Sequence, residues 1–121
     1  MSMPKENIKK ESIKNLGPRD SFHLIRIREG DPNFVILDVR TPKEHETTRI
    51  EGSVNLDRHS PTFEADLEKL DRKKTYLVYC LVGVRSNQAA GIMERLGFEE
   101  VINMIGGIRQ WNREGLPVSG R

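Results

Sequence analysis

The chain holds one cysteine, one tryptophan and three scattered histidines in 121 residues, and its longest continuous apolar run is Tyr76 to Val82. Each scarcity excludes something. A lone cysteine forms no internal disulfide, and with His23, His45 and His59 it offers no zinc-ligand spacing, so neither a metal nor a cofactor is predicted. The apolar run falls far short of the roughly 20 residues that cross a bilayer. The amino-terminal stretch MSMPKENIKKESIKNL has no apolar signal-peptide centre, so a cytoplasmic location is expected. Charge is also nearly balanced, with 20 Lys+Arg against 18 Asp+Glu and the signs interspersed. No basic face for nucleic acid or an anionic membrane is implied, and neither is expected as a partner. The length fits one domain, and a monomer is expected.

Turn residues and apolar periodicity divide that domain. Residues 1–15 are polar, lysine-rich and aperiodic, the composition of an arm, so the folded domain is expected over 16–121. A helix is predicted over about 18–29 and stops at Gly30-Asp31-Pro32. The nearly all-apolar runs FVILDV (34–39) and YLVYC (76–80) predict strands covered on both faces. Between them come a helical turn started by Pro42, a short strand over 53–56 and a helix over about 61–70. Ala89, Ile92, Met93 and Leu96 share one helical side, with Gly97 as its stop. VINM (101–104) predicts another strand, and Gly106-Gly107 opens a last helix through Trp111, which is predicted to pack in the core or at its edge. Buried strands alternating with helices indicate a parallel α/β sheet.

In such sheets, ligands collect where strands end and the following helices begin. Cys80 ends one strand, and the next helix is expected to open at Arg85-Ser86, leaving residues 81–86 as a short connection. Gly83 lets that connection adopt a positive φ. Its free N–H groups and the positive end of the helix favour negative charge, and the thiolate is the form of cysteine that attacks. Cys80 is therefore the candidate nucleophile. Space-filling in a core explains the apolar strand but not Cys-x-x-Gly-x-Arg-Ser at its end.

Three stretches together resemble the rhodanese-like family of single-domain sulfurtransferases: ILDVRTPKEHETTRIEGSVNL (36–56), VYCLVGVRSNQAA (78–90) and LGFEEVINMIGGIRQWNREGLPV (96–118). The resemblance implies a five-stranded parallel sheet flanked by helices on both faces, with Cys80 catalytic. It further implies sulfur transfer through a Cys80 persulfide. The backbone amides of Leu81, Val82, Gly83, Val84, Arg85 and Ser86 would hold the persulfide anion. Asp38 and Arg40 are expected to support the site as an ion pair or as loop-bracing groups. Arg85 either attracts an anionic donor or binds a carboxylate or backbone carbonyls, and Ser86 suits the first turn of a helix. The partners implied are a small sulfur donor, or a protein carrying a persulfide, and a thiol acceptor. No cofactor is implied.

Alternatives from other classes are a non-catalytic rhodanese-like binding module and a redox-sensing thiol. A cysteine phosphatase fits less well, because four residues separate Cys80 from Arg85, one fewer than in the loops that cradle phosphate. The chain departs from the family pattern at His45, Arg49 and Glu51, where an aromatic residue, a histidine and a proline are usual. Its loop is also apolar at Leu81, Val82 and Val84, which leaves Arg85 as the loop's one cation. Thiosulfate is a dianion. Steady-state kinetics with thiosulfate and cyanide are therefore expected to show modest turnover and a high Michaelis constant, and a low constant would contradict this reading of the rim.

Overall fold

Strands covered on both faces leave side chains alternating between two apolar layers, and the strands of this chain divide in that way. The computed structural model describes residues 13–120. Five parallel strands, β1 (Ile13–Leu16), β2 (Phe34–Asp38), β3 (Val54–Asn55), β4 (Thr75–Tyr79) and β5 (Glu100–Met104), stand in the order β1-β5-β4-β2-β3. The helices are α1 (Pro18–Ile27), α2 (Pro42–Thr47), α3 (Phe63–Glu68), α4 (Val84–Arg95) and α5 (Gly107–Arg113). This is the single α/β domain with a five-stranded parallel sheet that the sequence predicts. Among the described residues, no helix is long and apolar enough to cross a membrane.

One layer packs Leu37, Val39, Tyr76, Val78 and Cys80 against Phe63 and Leu67 of α3 and Ala89, Ala90 and Met93 of α4. The other packs Ile36, Leu77, Tyr79, Ile102 and Met104 against Ile108 and Trp111 of α5, with Phe22, Leu24 and Ile25 of α1 beside them. The period of two along residues 76–80 thus carries Cys80 to the α4 side. After β2 the chain moves outward to β3, then returns to β4 on the opposite side of β2. The carboxyl ends of β2 and β4 flank the point where the winding reverses, the usual place for a ligand in an open α/β sheet.

The observed elements differ from the sequence expectations in two places that matter. Residues 13–15, placed in the polar arm, belong to β1, while residues 1–12 of that arm lie outside the described residues. β1 is a short edge strand with Lys14 and Asn15 exposed, so it lacks the apolar run that marks the inner strands. Its register instead comes from β5, with Ile13 opposite Val101 and Leu16 opposite Met104. Second, α4 opens at Val84, so Arg85 and Ser86 lie in its first turn and the true connection is shorter. Its far end follows the expected stop. Gly97 has φ 91°, and the Gly97 and Phe98 amides donate to the carbonyls of Glu94 and Met93 at 3.0 Å.

Trp111 closes the α1–α5 layer. It is 1% exposed, meets the Phe22 ring edge-on at 5.8 Å, and donates its indole N–H to the Pro117 carbonyl at 2.8 Å. Trp111→Ala is expected to lower the unfolding free energy by about 3–5 kcal/mol. Urea denaturation checks this, and a loss below about 1 kcal/mol would show that the layer closes without the indole.

Candidate active site

The end of β4 divides its backbone groups between two helices. The carbonyls of Cys80 and Leu81 turn toward α5 and accept from the amides of Ile108 at 2.9 Å and Arg109 at 3.0 Å. Gly83 then takes φ 108° as the N-cap of α4, and the amides beyond it turn the other way. The Gly83 N–H donates to Cys80 Sγ at 3.1 Å and the Ser86 N–H at 3.3 Å, while the Ser86 hydroxyl lies 3.5 Å from the sulfur. Of the six loop amides predicted to face the sulfur, Gly83 and Ser86 are those that donate to it. With the positive end of the 12-residue α4 beside them, these donors favour negative charge on the sulfur. Cys80 is 1% exposed and shares an apolar layer, yet its sulfur is the acceptor of a built polar cradle.

A second group braces the neighbouring strand end. Arg40 donates its Nε to Asp38 Oδ1 at 2.9 Å, its Nη2 to Oδ2 at 2.7 Å and its backbone N–H to Oδ1 at 2.9 Å. Burial works against the Arg40 charge, but the bonds and attraction to Asp38 outweigh it and raise its pKa. Asp38 Oδ2 also accepts from the Tyr79 hydroxyl at 3.1 Å and meets His45 Nδ1 at 2.9 Å. A carboxylate only accepts, so Nδ1 carries the proton. Burial first, then the nearby Asp38 charge, pushes the Tyr79 phenol up to about 12, which keeps it a neutral donor. Asp38 and Arg40 do not touch the sulfur. They fix the β2 end and, through Asn55 Nδ2 bonded to both their carbonyls, the end of β3.

A third contact joins α2 to α4. Arg85 Nη1 and Nη2 meet Glu44 Oε1 and Oε2 at 2.8 and 3.1 Å. Its bonds to Arg85, with help from Thr41, hold the Glu44 carboxyl at about 2 against an ordinary 4.5.

Comparison with known proteins matches residues 24–114 to the rhodanese-like domain. The chain belongs to the rhodanese-like family. A sulfurtransferase from Allochromatium vinosum is 31% identical over 99 residues, 82% of this chain and 91% of that protein. The thiosulfate sulfurtransferase GlpE of Coxiella burnetii is 31% identical over 98 residues, covering 81% of this chain and 86% of its own. The crystal structure of a rhodanese-related protein from Thermoplasma volcanium superposes with a TM-score of 0.75 at 29% identity, over 88% of this chain and 97% of that one. Some curated relatives are longer: this chain spans 21% of a probable adenylyltransferase/sulfurtransferase MoeZ from Mycobacterium tuberculosis.

Within this rhodanese-like domain, two of the three departures from the family pattern find local partners. Arg49 Nη1 donates to the carbonyls of His45 at 3.3 Å and Glu46 at 3.4 Å, and His45 joins the Asp38 group. Glu51 lies exposed in the turn before β3. Sequence reasoning assigned no role at the site to Glu44 or Tyr79, and read Gly107 only as part of the turn that opens the last helix. Thr41-Pro42-Lys43-Glu44 does carry a legible signal, since Thr-x-x-Glu marks a capping box, and that box forms. Its second partner, 41 residues along the chain, has no local signal. Gly107, at φ 63°, lies so close to the loop that a Cβ there would overlap the Leu81 carbonyl and sit 2.6 Å from the Cys80 carbonyl oxygen.

Gly107→Ala is therefore expected to cost more than about 2 kcal/mol in urea unfolding, from strained backbone and overlap together. Gly91→Ala, inside α4 with nothing within 4 Å, serves as the contrast and is expected to be neutral or stabilising. Equal effects at both positions would remove the steric argument.

Proposed function

We propose that the chain is a sulfurtransferase that carries sulfane sulfur as a persulfide on Cys80. The observation that carries this reading is the convergence of the Gly83 and Ser86 amides on Sγ at the amino end of α4. The Cys80 thiolate attacks the outer sulfur of a donor such as thiosulfate. A bond forms between the two sulfurs, the donor S–S bond breaks, and sulfite leaves with the bonding pair. The persulfide then carries its negative charge on the outer sulfur. An external thiolate or cyanide attacks that atom, and Cys80 departs as thiolate. The chain has one cysteine, so the acceptor comes from outside. Its likeness to the Coxiella thiosulfate sulfurtransferase supports thiosulfate as a usable donor.

The thiol's 1% exposure favours a terminal sulfur on a narrow stem over a bulky electrophile. It also motivates the second reading, a binding module in which the loop is a surface feature and Cys80 fills space. Val82 and Val84, 43% and 61% exposed, flank the cradle and supply an apolar rim for either role.

Intact-mass measurement separates the two readings. After incubation with thiosulfate, the protein is expected to gain one sulfur atom that a reducing thiol removes, and Cys80→Ser is expected to gain none. Absence of any gain with thiosulfate, polysulfide and glutathione persulfide alike would sink sulfur transfer and leave the binding module.

A further inference from the structure

The loop's one cation is already occupied. Arg85 lies one residue before Ser86, whose amide reaches the sulfur, and both of its Nη atoms are taken by Glu44. The carboxylate that occupies it is itself held in place. Glu44 Oε1 also accepts from the Thr41 N–H at 3.0 Å and hydroxyl at 3.1 Å, while the Glu44 amide donates back to Thr41 Oγ1 at 3.2 Å. Swinging Glu44 away from Arg85 would open the capping box that starts α2. The other arginine near the loop, Arg40, is committed to Asp38. Beside Leu81 lies a cleft of about 470 Å³ whose lining includes Lys43, Glu44 and Asn112. Glu44 thus lines the same opening as Leu81, the residue that follows Cys80.

We infer that Glu44 is a specificity-determining residue that sets the charge of the sulfur species admitted to Cys80, weakening attraction for dianions and leaving low-charge donors unaffected. The inference rests on the sulfur-transfer reading for the identity of those species, but the charge gate itself does not require turnover. Lys43, Glu44 and Arg85 together carry +1 as built and +2 once Glu44 is neutralised. The Arg85 charge is close enough to Cys80 and Asp38 that both help to stabilise it, after its bonds to Glu44. A dianion at the sulfur therefore feels this balance, and an uncharged reagent does not.

The test compares Glu44→Gln with Glu46→Gln. Glutamine at the third helical position preserves the capping box, so Glu44→Gln removes charge while keeping the α2 start. Glu46→Gln removes the same charge from an exposed position of the same helix. The first readout is the rate of Cys80 alkylation by iodoacetate divided by that by iodoacetamide, which reports charge selectivity without any sulfur chemistry. In Glu44→Gln this ratio is expected to rise by about threefold to tenfold at low salt and to return toward the parent value at high salt. The Michaelis constant for thiosulfate is expected to fall by a similar factor with kcat little changed. Glu46→Gln is expected to match the parent in both.

A folded Glu44→Gln protein with an unchanged ratio would overturn the inference, as would an equal rise in Glu46→Gln. A raised ratio in proteins that never accept sulfur from thiosulfate would uphold the gate and remove the proposed reaction instead.

Discussion

The geometry of the site depends on one exchange of backbone hydrogen bonds. At the end of β4 the carbonyls of Cys80 and Leu81 are taken by the first amides of α5, and only then can the next amides turn toward Sγ. A buried carbonyl left without a donor costs about 1–3 kcal/mol, so the loop has little freedom to rotate its peptides the other way. Close approach makes the exchange possible. Gly107 admits the Leu81 carbonyl where a side chain would collide, and Gly83 lies near the Gly106 amide on the same side. The last helix of the chain thus orients a loop more than 20 residues earlier, although none of its side chains is required near the sulfur.

The Asp38 carboxylate plays the corresponding part for the neighbouring strand. It is fully buried and surrounded by donors from Arg40, Tyr79 and His45, which come from the end of β2, from β4 and from α2. A buried ion pair is weak evidence for stability, because desolvation offsets most of the attraction. What it supplies here is geometry, since each donor can be satisfied in one arrangement of the strand ends only. That arrangement presents Glu44 to Arg85, so the buried network and the exposed pair belong to one chain of constraint running from β2 through α2 to the first turn of α4.

Much of this was legible in the residues. FVILD and TYLVY announce inner strands, because a strand covered on both faces has no polar alternation to hide it. Cys80 at a strand end, followed by Gly83 and a helix, marks the place where backbone amides converge. β1 was illegible for the converse reason, being an edge strand whose apolar contacts are two terminal residues and whose pairing partner lies at the other end of the chain. The start of α4 precedes the expected Arg85-Ser86 because Gly83 serves as its N-cap with Val84 following directly, while the polar pair carries the stronger local signal. Long-range polar partners were hidden altogether. Arg85 alone reads equally as a substrate cation or as the partner of a carboxylate, and only the folded chain reveals which carboxylate binds it.

Core membership and a seat among amide donors, opposed as readings of a lone cysteine, coincide in this fold. Cys80 continues the alternation of Tyr76 and Val78 into an apolar layer, which explains its burial without reference to chemistry. The same alternation aims its sulfur at the amino end of α4, because that helix must cover the layer and begins within a few residues of the strand. An apolar surround lowers the effective dielectric, and in that setting each amide donor acts more strongly on an adjacent negative charge than it would in water. Two fixed N–H groups and a helix terminus surround the sulfur with dipoles that need no reorganisation. The alternation that buries Cys80 is thus also the one that brings its sulfur to the two amides.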